Sequence, residues 1–299
     1  MPQAETYTPE TLDEVAALLL AADAQAHPAV TRTAFLAAAM GPTGPVPIVV
    51  DVRRVPEMNR VEYDERNGLL VGAAVPWSEP LRFAPVRHAY AILADGVSLA
   101  GTGAARDDAT LGQWLGNPAE SADLALPLIC LGASVAVFGP HGWSETTLEA
   151  LCARGRGTAL QPGEFLVDVR LPAPSPRSGG AYVRSASGEI DGDAVGAGAF
   201  LVMQDDLETC CGARLAVRAD DAQPMRALDA ERFLQGRRVD RAVVDMAGDL
   251  SAQLCAPAVR SRSADERAGA LKRAVCRAIV RALERARPGS DPDGDARRK

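Results

Sequence analysis

The chain has 299 residues, of which 24% are charged and 47% apolar, a composition typical of globular proteins with one or more ordinary hydrophobic cores. Its 32 basic and 39 acidic residues give a formal net charge of −7, and only 4% of its residues are aromatic, which argues against a nucleic-acid-binding protein. We see no signal peptide and no run of about 20 apolar residues, so we expect a cytoplasmic chain without a membrane span.

The first third of the chain predicts a helix followed by strands. We predict a helix that begins at Pro9, with Thr8 as its N-cap, and ends near residues 24–27. The β-branched run Ile48–Val52, bounded by prolines, predicts a buried strand. Residues 60–63 and 69–75 predict two further strands on either side of a turn at Asn67-Gly68.

The middle third combines a long connection with a second strand region. Residues 89–94 predict a helix, and residues 95–123, rich in Gly, Ala and polar side chains, predict a long loop of the kind that carries function. Residues 129–138 predict a strand. The stretch 170–180 contains three prolines and two glycines, and this linker composition marks a domain boundary.

The last third predicts strands at residues 194–203 and 211–218, followed by helices at residues 229–234 and 239–255. Ser263 and Glu266 form a capping box ahead of a final helix. Its apolar residues Leu271, Val275, Ile279 and Leu283 lie on one face, with arginines around the rest. We expect the polar tail from Pro288 onward to be disordered.

Cysteine and histidine spacing indicates no metal site. The six cysteines show no CxxC pair, and the three histidines show no HExxH pattern, so we expect buried thiols rather than zinc or cluster ligands.

Several short motifs occur in a characteristic order along the chain. The first group contains Thr11-Leu12, the strand ending in Asp51, the turn at residues 55–58 and the run 70–75. The second contains Thr110-Leu111-Gly112, Pro118, residues 121–123 and residues 131–133. The third contains residues 160–164, 169–172, 182–184, 224–226 and 237–240. Together the motifs resemble the FAD-binding medium subunit of molybdenum hydroxylases, the family that includes carbon monoxide dehydrogenase and xanthine dehydrogenase.

This resemblance implies an α+β protein with a defined domain order. The N-terminal part would adopt the FAD-binding fold shared with vanillyl-alcohol oxidase, in two α/β subdomains at residues 1–56 and 57–170. A linker at residues 171–180 would lead to a C-terminal α+β domain of the carbon monoxide dehydrogenase flavoprotein type at residues 181–287, followed by the tail 288–299.

The resemblance also implies where a flavin would be held, and both glycine-rich loops of the family are altered here. The first loop reads Ala29, Val30, Thr31, Arg32 and Thr33, without either glycine. The second reads Thr110, Leu111, Gly112, Gln113 and Trp114, with one glycine retained. Asp123, Leu166 and Arg184 complete the implied cofactor-binding residues. Glycine lets backbone N–H groups approach phosphate, whereas Arg32 and Trp114 could either contact the cofactor or fill its cavity.

These observations leave three hypotheses open. In the first, the chain is an oxidoreductase subunit that binds FAD and passes electrons from an iron–sulfur subunit to an external acceptor, in a complex with a molybdopterin subunit. In the second, it is a cofactor-free homologue that serves as an interaction subunit, for example with a paralogous flavin subunit. In the third, the cleft binds another small molecule, with Asp107, Asp108, Glu120 and Asp123 as acid–base candidates.

Overall fold

The structure of the protein is a computed structural model that describes residues 5–21, 27–30, 35–38, 48–99, 110, 122–153, 160–186, 194–219, 223–255 and 262–287. The chain divides into two compact units. The first consists of residues 1–83, 101–121 and 132–173, and the second of residues 84–100, 122–131 and 174–299. No helix among the described residues is long and apolar enough to cross a membrane.

The helices are α1 (Leu12–Ala21), α2 (Ala84–Ala89), α3 (Ala91–Leu99), α4 (Ala122–Leu131), α5 (Leu148–Ala153), α6 (Leu228–Leu234), α7 (Arg241–Ala252) and α8 (Arg262–Arg285). The strands of the first unit are β1 (Glu5–Tyr7), β2 (His27–Val30), β3 (Phe35–Ala38), β4 (Ile48–Val50), β5 (Val61–Asp64), β6 (Gly68–Gly72), β7 (Ser134–Gly139), β8 (Gly142–Thr147) and β9 (Phe165–Leu171). The strands of the second unit are β10 (Ser178–Ala186), β11 (Ala194–Met203), β12 (Cys210–Ala219) and β13 (Met225–Arg226).

The first unit contains two sheets. The N-terminal sheet has the strand order β1-β4-β3-β2, in which β1 and β4 are parallel and the other pairs antiparallel. The second sheet is antiparallel and has the order β5-β6-β9-β7-β8. Its central strand β9 is buried at every residue except the half-buried Arg170, and the buried Asp168 is paired with Arg60 and Arg170. The hairpin predicted around Asn67-Gly68 is confirmed by β5 and β6.

The second unit is one antiparallel sheet, in the order β10-β11-β12-β13, with helices on both faces. One face packs on α8 and forms a core of small and branched residues, among them Ala197, Leu201, Val217 and Leu271. On the opposite face lie α3 and α4. The predicted final helix is confirmed, since Leu271, Val275 and Ile279 of α8 are all buried.

Several predicted boundaries are wrong, among them those of α1, α3 and α4. Helix α1 begins at Leu12 rather than Pro9, because the Thr11 hydroxyl caps it by accepting the Glu14 N–H at 3.3 Å. Residues 129–131 are helical and belong to α4, and the strand starts only at Ser134. Residues 95–99, predicted as the start of a loop, continue α3. The strand error has a simple origin, since a short apolar run suits a buried helix as well as a buried strand. The tail 288–299 lies outside the described residues.

Candidate functional site

The first predicted loop begins at the end of a strand. Ala29 and Val30 belong to β2, where they are the register partners of Leu36 and Phe35 in β3. Thr31, Arg32 and Thr33 lie outside the described residues. The structure therefore describes the entry to this loop but not the residues that were expected to face phosphate.

The second predicted loop is described only at Thr110. This residue is fully buried and forms an isolated antiparallel bridge with Pro76 in the first unit. Leu111, Gly112, Gln113 and Trp114 lie outside the described residues, as do the acid–base candidates Asp107, Asp108 and Glu120.

Leu166 is a core residue of the first unit. It lies in β9 opposite Val137 of β7 and is 2% exposed. An apolar side chain at this position contributes packing to the sheet, and its predicted contact with a cofactor stays a prediction.

Asp123 and Arg184, which are 61 residues apart in sequence, meet in the second unit. Asp123 lies in the first turn of α4, and Arg184 lies in β10. The Arg184 Nη1 donates to Asp123 Oδ2 at 2.6 Å. Sequence reasoning named both residues separately, and the sheet and helix bring them into contact.

Tyr182 is the residue of this cluster that sequence reasoning missed. Its hydroxyl donates to Asp123 Oδ1 at 2.6 Å, so each carboxylate oxygen accepts one hydrogen bond. A signal was available, because residues two apart in a strand point to the same face and Tyr182 precedes Arg184 by two. That signal becomes informative only once the segment is known to be a strand.

The glycines of β11 make room for this cluster. Gly196 is the register partner of Arg184 on one side and of Arg218 on the other. A Cβ at Gly196 would lie 2.8 Å from the Tyr182 hydroxyl and 2.9 Å from Leu126 Cδ1 of α4. Because glycine has no side chain, helix α4 can lie close enough for Asp123 to reach Tyr182 and Arg184.

Burial and charge act in opposite directions on the Asp123 carboxyl. Desolvation raises its pKa above the ordinary value, while the Tyr182 hydroxyl and the positive charges of Arg184 and Arg218 act to lower it. Burial, followed by the charge of Asp123, raises the pKa of the Tyr182 hydroxyl, which therefore stays protonated and acts as a donor.

Arg184 is the member of the cluster best placed to bind a ligand. Its side chain is 43% exposed, whereas that of Asp123 is 10% exposed. A guanidinium carries five N–H donors in a planar fork suited to phosphate and other anionic oxygens, and one hydrogen bond to Asp123 leaves several of them. Among the described residues, no group of three His, Cys, Asp or Glu side chains could hold a metal ion.

Two family models match consecutive parts of the chain. Residues 2–174 match the FAD binding domain in molybdopterin dehydrogenase, and residues 181–282 match the CO dehydrogenase flavoprotein C-terminal domain. The two matches leave only residues 175–180 between them and end at residue 282, within α8.

Individual relatives agree with the family match. The chain is 25% identical over 187 residues to the 6-hydroxypseudooxynicotine dehydrogenase complex subunit alpha of Paenarthrobacter nicotinovorans, which covers 62% of each chain. It is 29% identical over 171 residues to the carbon monoxide dehydrogenase medium chain of Afipia carboxidovorans, covering 56% of this chain and 59% of that one. The matches thus span about three fifths of the length of these two relatives.

Solved structures show the same fold over nearly the whole chain. A chain in the crystal structure of quinoline 2-oxidoreductase from Pseudomonas putida 86 matches with a TM-score of 0.75 and 24% identity, covering 95% of this chain and 98% of that one. A chain of carbon monoxide dehydrogenase from Hydrogenophaga pseudoflava matches with a TM-score of 0.75 and 21% identity, covering 95% and 98%. At these identities the likeness concerns the fold alone.

Proposed function

The chain belongs to the family of FAD-binding medium subunits of molybdenum hydroxylases, and on that premise we propose that it binds FAD and relays electrons within such a complex. The donor of those electrons would be an iron–sulfur subunit, which receives them from a molybdopterin subunit, and the final acceptor would lie outside the complex. Flavin, when bound, supplies the redox chemistry, and the protein supplies binding, orientation and electrostatics.

The observation that carries this proposal is the pairing of Arg184 with Asp123. The Arg184 guanidinium is held by a buried carboxylate at 2.6 Å while its side chain stays 43% exposed. This donor fits the chemistry of FAD, whose diphosphate and isoalloxazine carbonyl oxygens are all hydrogen-bond acceptors. Among the residues that the family resemblance implies for cofactor binding, Arg184 is therefore one that we expect to contact FAD directly.

The test is a binding experiment on the full chain. Oxidised flavin has a visible absorption band, so FAD that copurifies with the chain, or that is retained after titration and gel filtration, is measured directly. We expect about one FAD per chain and a loss of affinity of about tenfold or more in Arg184→Ala, since a hydrogen bond to a charged group is worth about 1.5–3 kcal/mol.

The matched control is Arg232→Ala, which removes an arginine 73% exposed on α6 in the same unit. This variant should bind FAD like the unmodified chain. A colourless chain that also fails to bind added FAD would contradict the proposal.

A second candidate function is a cofactor-free interaction subunit, and the altered loops favour it. Val30 has replaced a family glycine and is the last ladder residue of β2, and its β-branched side chain disfavours the positive φ angles that glycine allows. In that case the chain would associate with the iron–sulfur and molybdopterin subunits, or with a paralogous flavin subunit, without binding flavin itself. Flavin analysis of the assembled complex distinguishes the two functions.

A further inference from the structure

We propose that the ion pair of Asp95 and Arg285 closes the outer edge of β10 against a further strand, and that the strand it excludes is β10 of a second copy of this chain. Strand β10 lies at one end of the sheet order β10-β11-β12-β13 and is nine residues long. The backbone groups on the open side of an edge strand are a template for pairing with another chain. An edge of this length therefore has to be covered if copies of the chain are to stay apart.

The pair reaches the edge of β10 from the two faces of the sheet. Neighbouring residues in a strand point to opposite faces. A Cβ at Gly179 would lie 2.2 Å from a backbone carbonyl oxygen of α8, and a Cβ at Gly180 would lie 3.1 Å from the Cβ of Ile92 in α3. Helices α8 and α3 thus cover opposite faces of β10, and Arg285, the last residue of α8, meets Asp95 of α3 beside the strand.

Both members of the pair also bond to the backbone of β10. The Arg285 guanidinium donates to the two Asp95 oxygens at 2.6 and 2.9 Å, and its Nη1 also donates to the Gly180 carbonyl oxygen at 2.8 Å. The Tyr182 N–H donates to Asp95 Oδ2 at 3.0 Å. Because Gly180 and Tyr182 are two residues apart, these backbone groups lie on the same side of the strand, the side that faces away from β11. The pair therefore occupies one donor and one acceptor that a fifth strand would use.

Burial makes this cover durable. The Arg285 side chain is 14% exposed and that of Asp95 is 18% exposed. An ion pair with so little exposure is screened only weakly by salt, and the two-pronged contact of a guanidinium with a carboxylate fixes its geometry. We therefore expect the edge to stay closed at ordinary ionic strength.

The opposite edge of the sheet carries the same arrangement. Strand β13 has only two residues, which pair with Ala216 and Val217 of β12. The N–H of Leu215, just before them in β12, donates to Glu231 Oε1 at 2.8 Å, and Arg226 Nε donates to the same oxygen at 3.0 Å. At each edge, a carboxylate held by an arginine accepts a backbone N–H. This recurrence in one sheet favours a role in closing edges.

A second copy of the chain is the partner that fits the edge of β10. Its ladder with β11 runs over nine register pairs, so the strand is long enough to form another ladder of that size on its open side. Antiparallel pairing of β10 with the same strand of another copy follows from two-fold symmetry, in which one surface is complementary to itself. A different protein would have to supply a strand of matching length, whereas every copy of this chain carries one.

The first measurement uses the unmodified chain. Hydrogen exchange resolved to single residues compares the Tyr182 amide, on the open side of β10, with the Ala181 and Val183 amides, which face β11. We expect the exchange rate of Tyr182 to lie within about tenfold of its neighbours, because a hydrogen bond to a charged group is stronger than average. A Tyr182 amide that exchanges like an unbonded surface amide would mean that the edge is open, and would overturn the proposal.

The second measurement removes the pair. Asp95→Ala and Arg285→Ala are combined, so that neither charge is left without its partner. The matched control combines Asp229→Ala with Arg232→Ala, which removes an exposed pair of the same composition from α6. Circular dichroism establishes that each double variant is folded. Should the edge variant fail to fold, Arg285→Met takes its place, because methionine keeps a long apolar side chain and cannot donate to the strand.

Self-association is then followed by sedimentation velocity over a wide range of concentration. We expect the edge variant to form a dimer that increases with concentration, while the control variant behaves like the unmodified chain. In the dilute edge variant the Tyr182 amide should exchange about tenfold faster or more than in the unmodified chain, and the dimer should protect it again.

Two outcomes would overturn the proposal at this stage. One is a folded edge variant that associates no more than the control at any concentration, since the pair would then only stabilise the fold. The other is association that leaves the β10 amides unprotected, since copies would then meet at a different surface. None of these measurements involves FAD, so their outcome is independent of the proposed function.

Discussion

Every buried carboxylate in the described part of the chain is paired with arginine. The pairs are Asp51 with Arg53, Asp123 with Arg184, Asp168 with both Arg60 and Arg170, and Glu231 with Arg226. An unpaired buried charge is costly, and the guanidinium matches both carboxylate oxygens better than an ammonium group does. Arg184, which is predicted to contact the cofactor, differs from the other arginines because its partner Asp123 lies on a helix, α4, and is 61 residues away in sequence.

Asp51 offers a test at this scale. Its carboxylate accepts the Arg53 backbone N–H at 3.0 Å and the Arg53 Nε at 2.9 Å, and it caps the short 3₁₀ helix Val52–Arg54. These bonds, above all the side-chain bond to Arg53, hold the pKa of Asp51 below its ordinary value. Replacing it by Asn should lower the free energy of unfolding at neutral pH by about 1 kcal/mol.

The sign of the pH dependence follows from the lowered pKa. The stabilisation is present above the pKa of the unfolded chain, about pH 4, and is lost as the pH falls through the lower pKa of the folded protein. The difference between Asp51→Asn and the unmodified chain should therefore shrink in acid, as measured by urea unfolding at several pH values. A difference that grows below about pH 4 would contradict this assignment.

The sequence predicted helix or strand correctly where a regular hydrophobic pattern extended over many residues. Helix α8, with its regular apolar face, and the strands β11 and β12 could be anticipated at the level of type, whereas β10 was not predicted and begins within the predicted linker. The run 129–138 could not, because Ile129–Leu131 end a helix while the strand begins at Ser134. The burial of both parts is similar, and the helix ends where Gly132 adopts a positive φ of 74°.

Close approach of α8 to β10 gives a test at the scale of elements. A Cβ at Gly179 would lie 2.2 Å from the Ala282 carbonyl oxygen and 2.5 Å from the Ala286 nitrogen, both backbone atoms that cannot move aside. Gly179→Ala should therefore lower the free energy of unfolding by at least about 1–3 kcal/mol, the usual cost of overpacking.

The control lies in the same sheet. A Cβ at Gly212 in β12 meets Val202 at 3.7 Å, an ordinary contact, so Gly212→Ala should be nearly neutral. Thermal unfolding followed by circular dichroism compares the two variants. Equal midpoints would mean that α8 lies farther from β10 than described.

The molecule as a whole is acidic and consists of two units, of which the described residues form two sheets in the first and one in the second. Its relatives include a complex subunit alpha and carbon monoxide dehydrogenase medium chains, proteins that their names describe as parts of larger assemblies. The proposed role of this chain is likewise that of a subunit.

Co-expression tests this role. The tagged full chain should retain an iron–sulfur subunit and a molybdopterin subunit from the same organism through affinity purification and gel filtration, whereas an unrelated acidic protein with the same tag should retain neither. Elution of the chain alone, at low and moderate salt, would contradict the subunit role for both the flavin-binding and the cofactor-free candidate.

The sequence by itself determined the family, the fold class and the types of most elements, because motif order and hydrophobic period are properties of the linear chain. It also singled out Asp123 and Arg184, but only as separate positions. The tertiary structure decided that they form an ion pair, that the Tyr182 hydroxyl donates to the same carboxylate and that Gly196 leaves the space for these contacts. Such contacts depend on strand register and on the distance between a helix and a sheet, and neither is encoded in the spacing of residues along one segment.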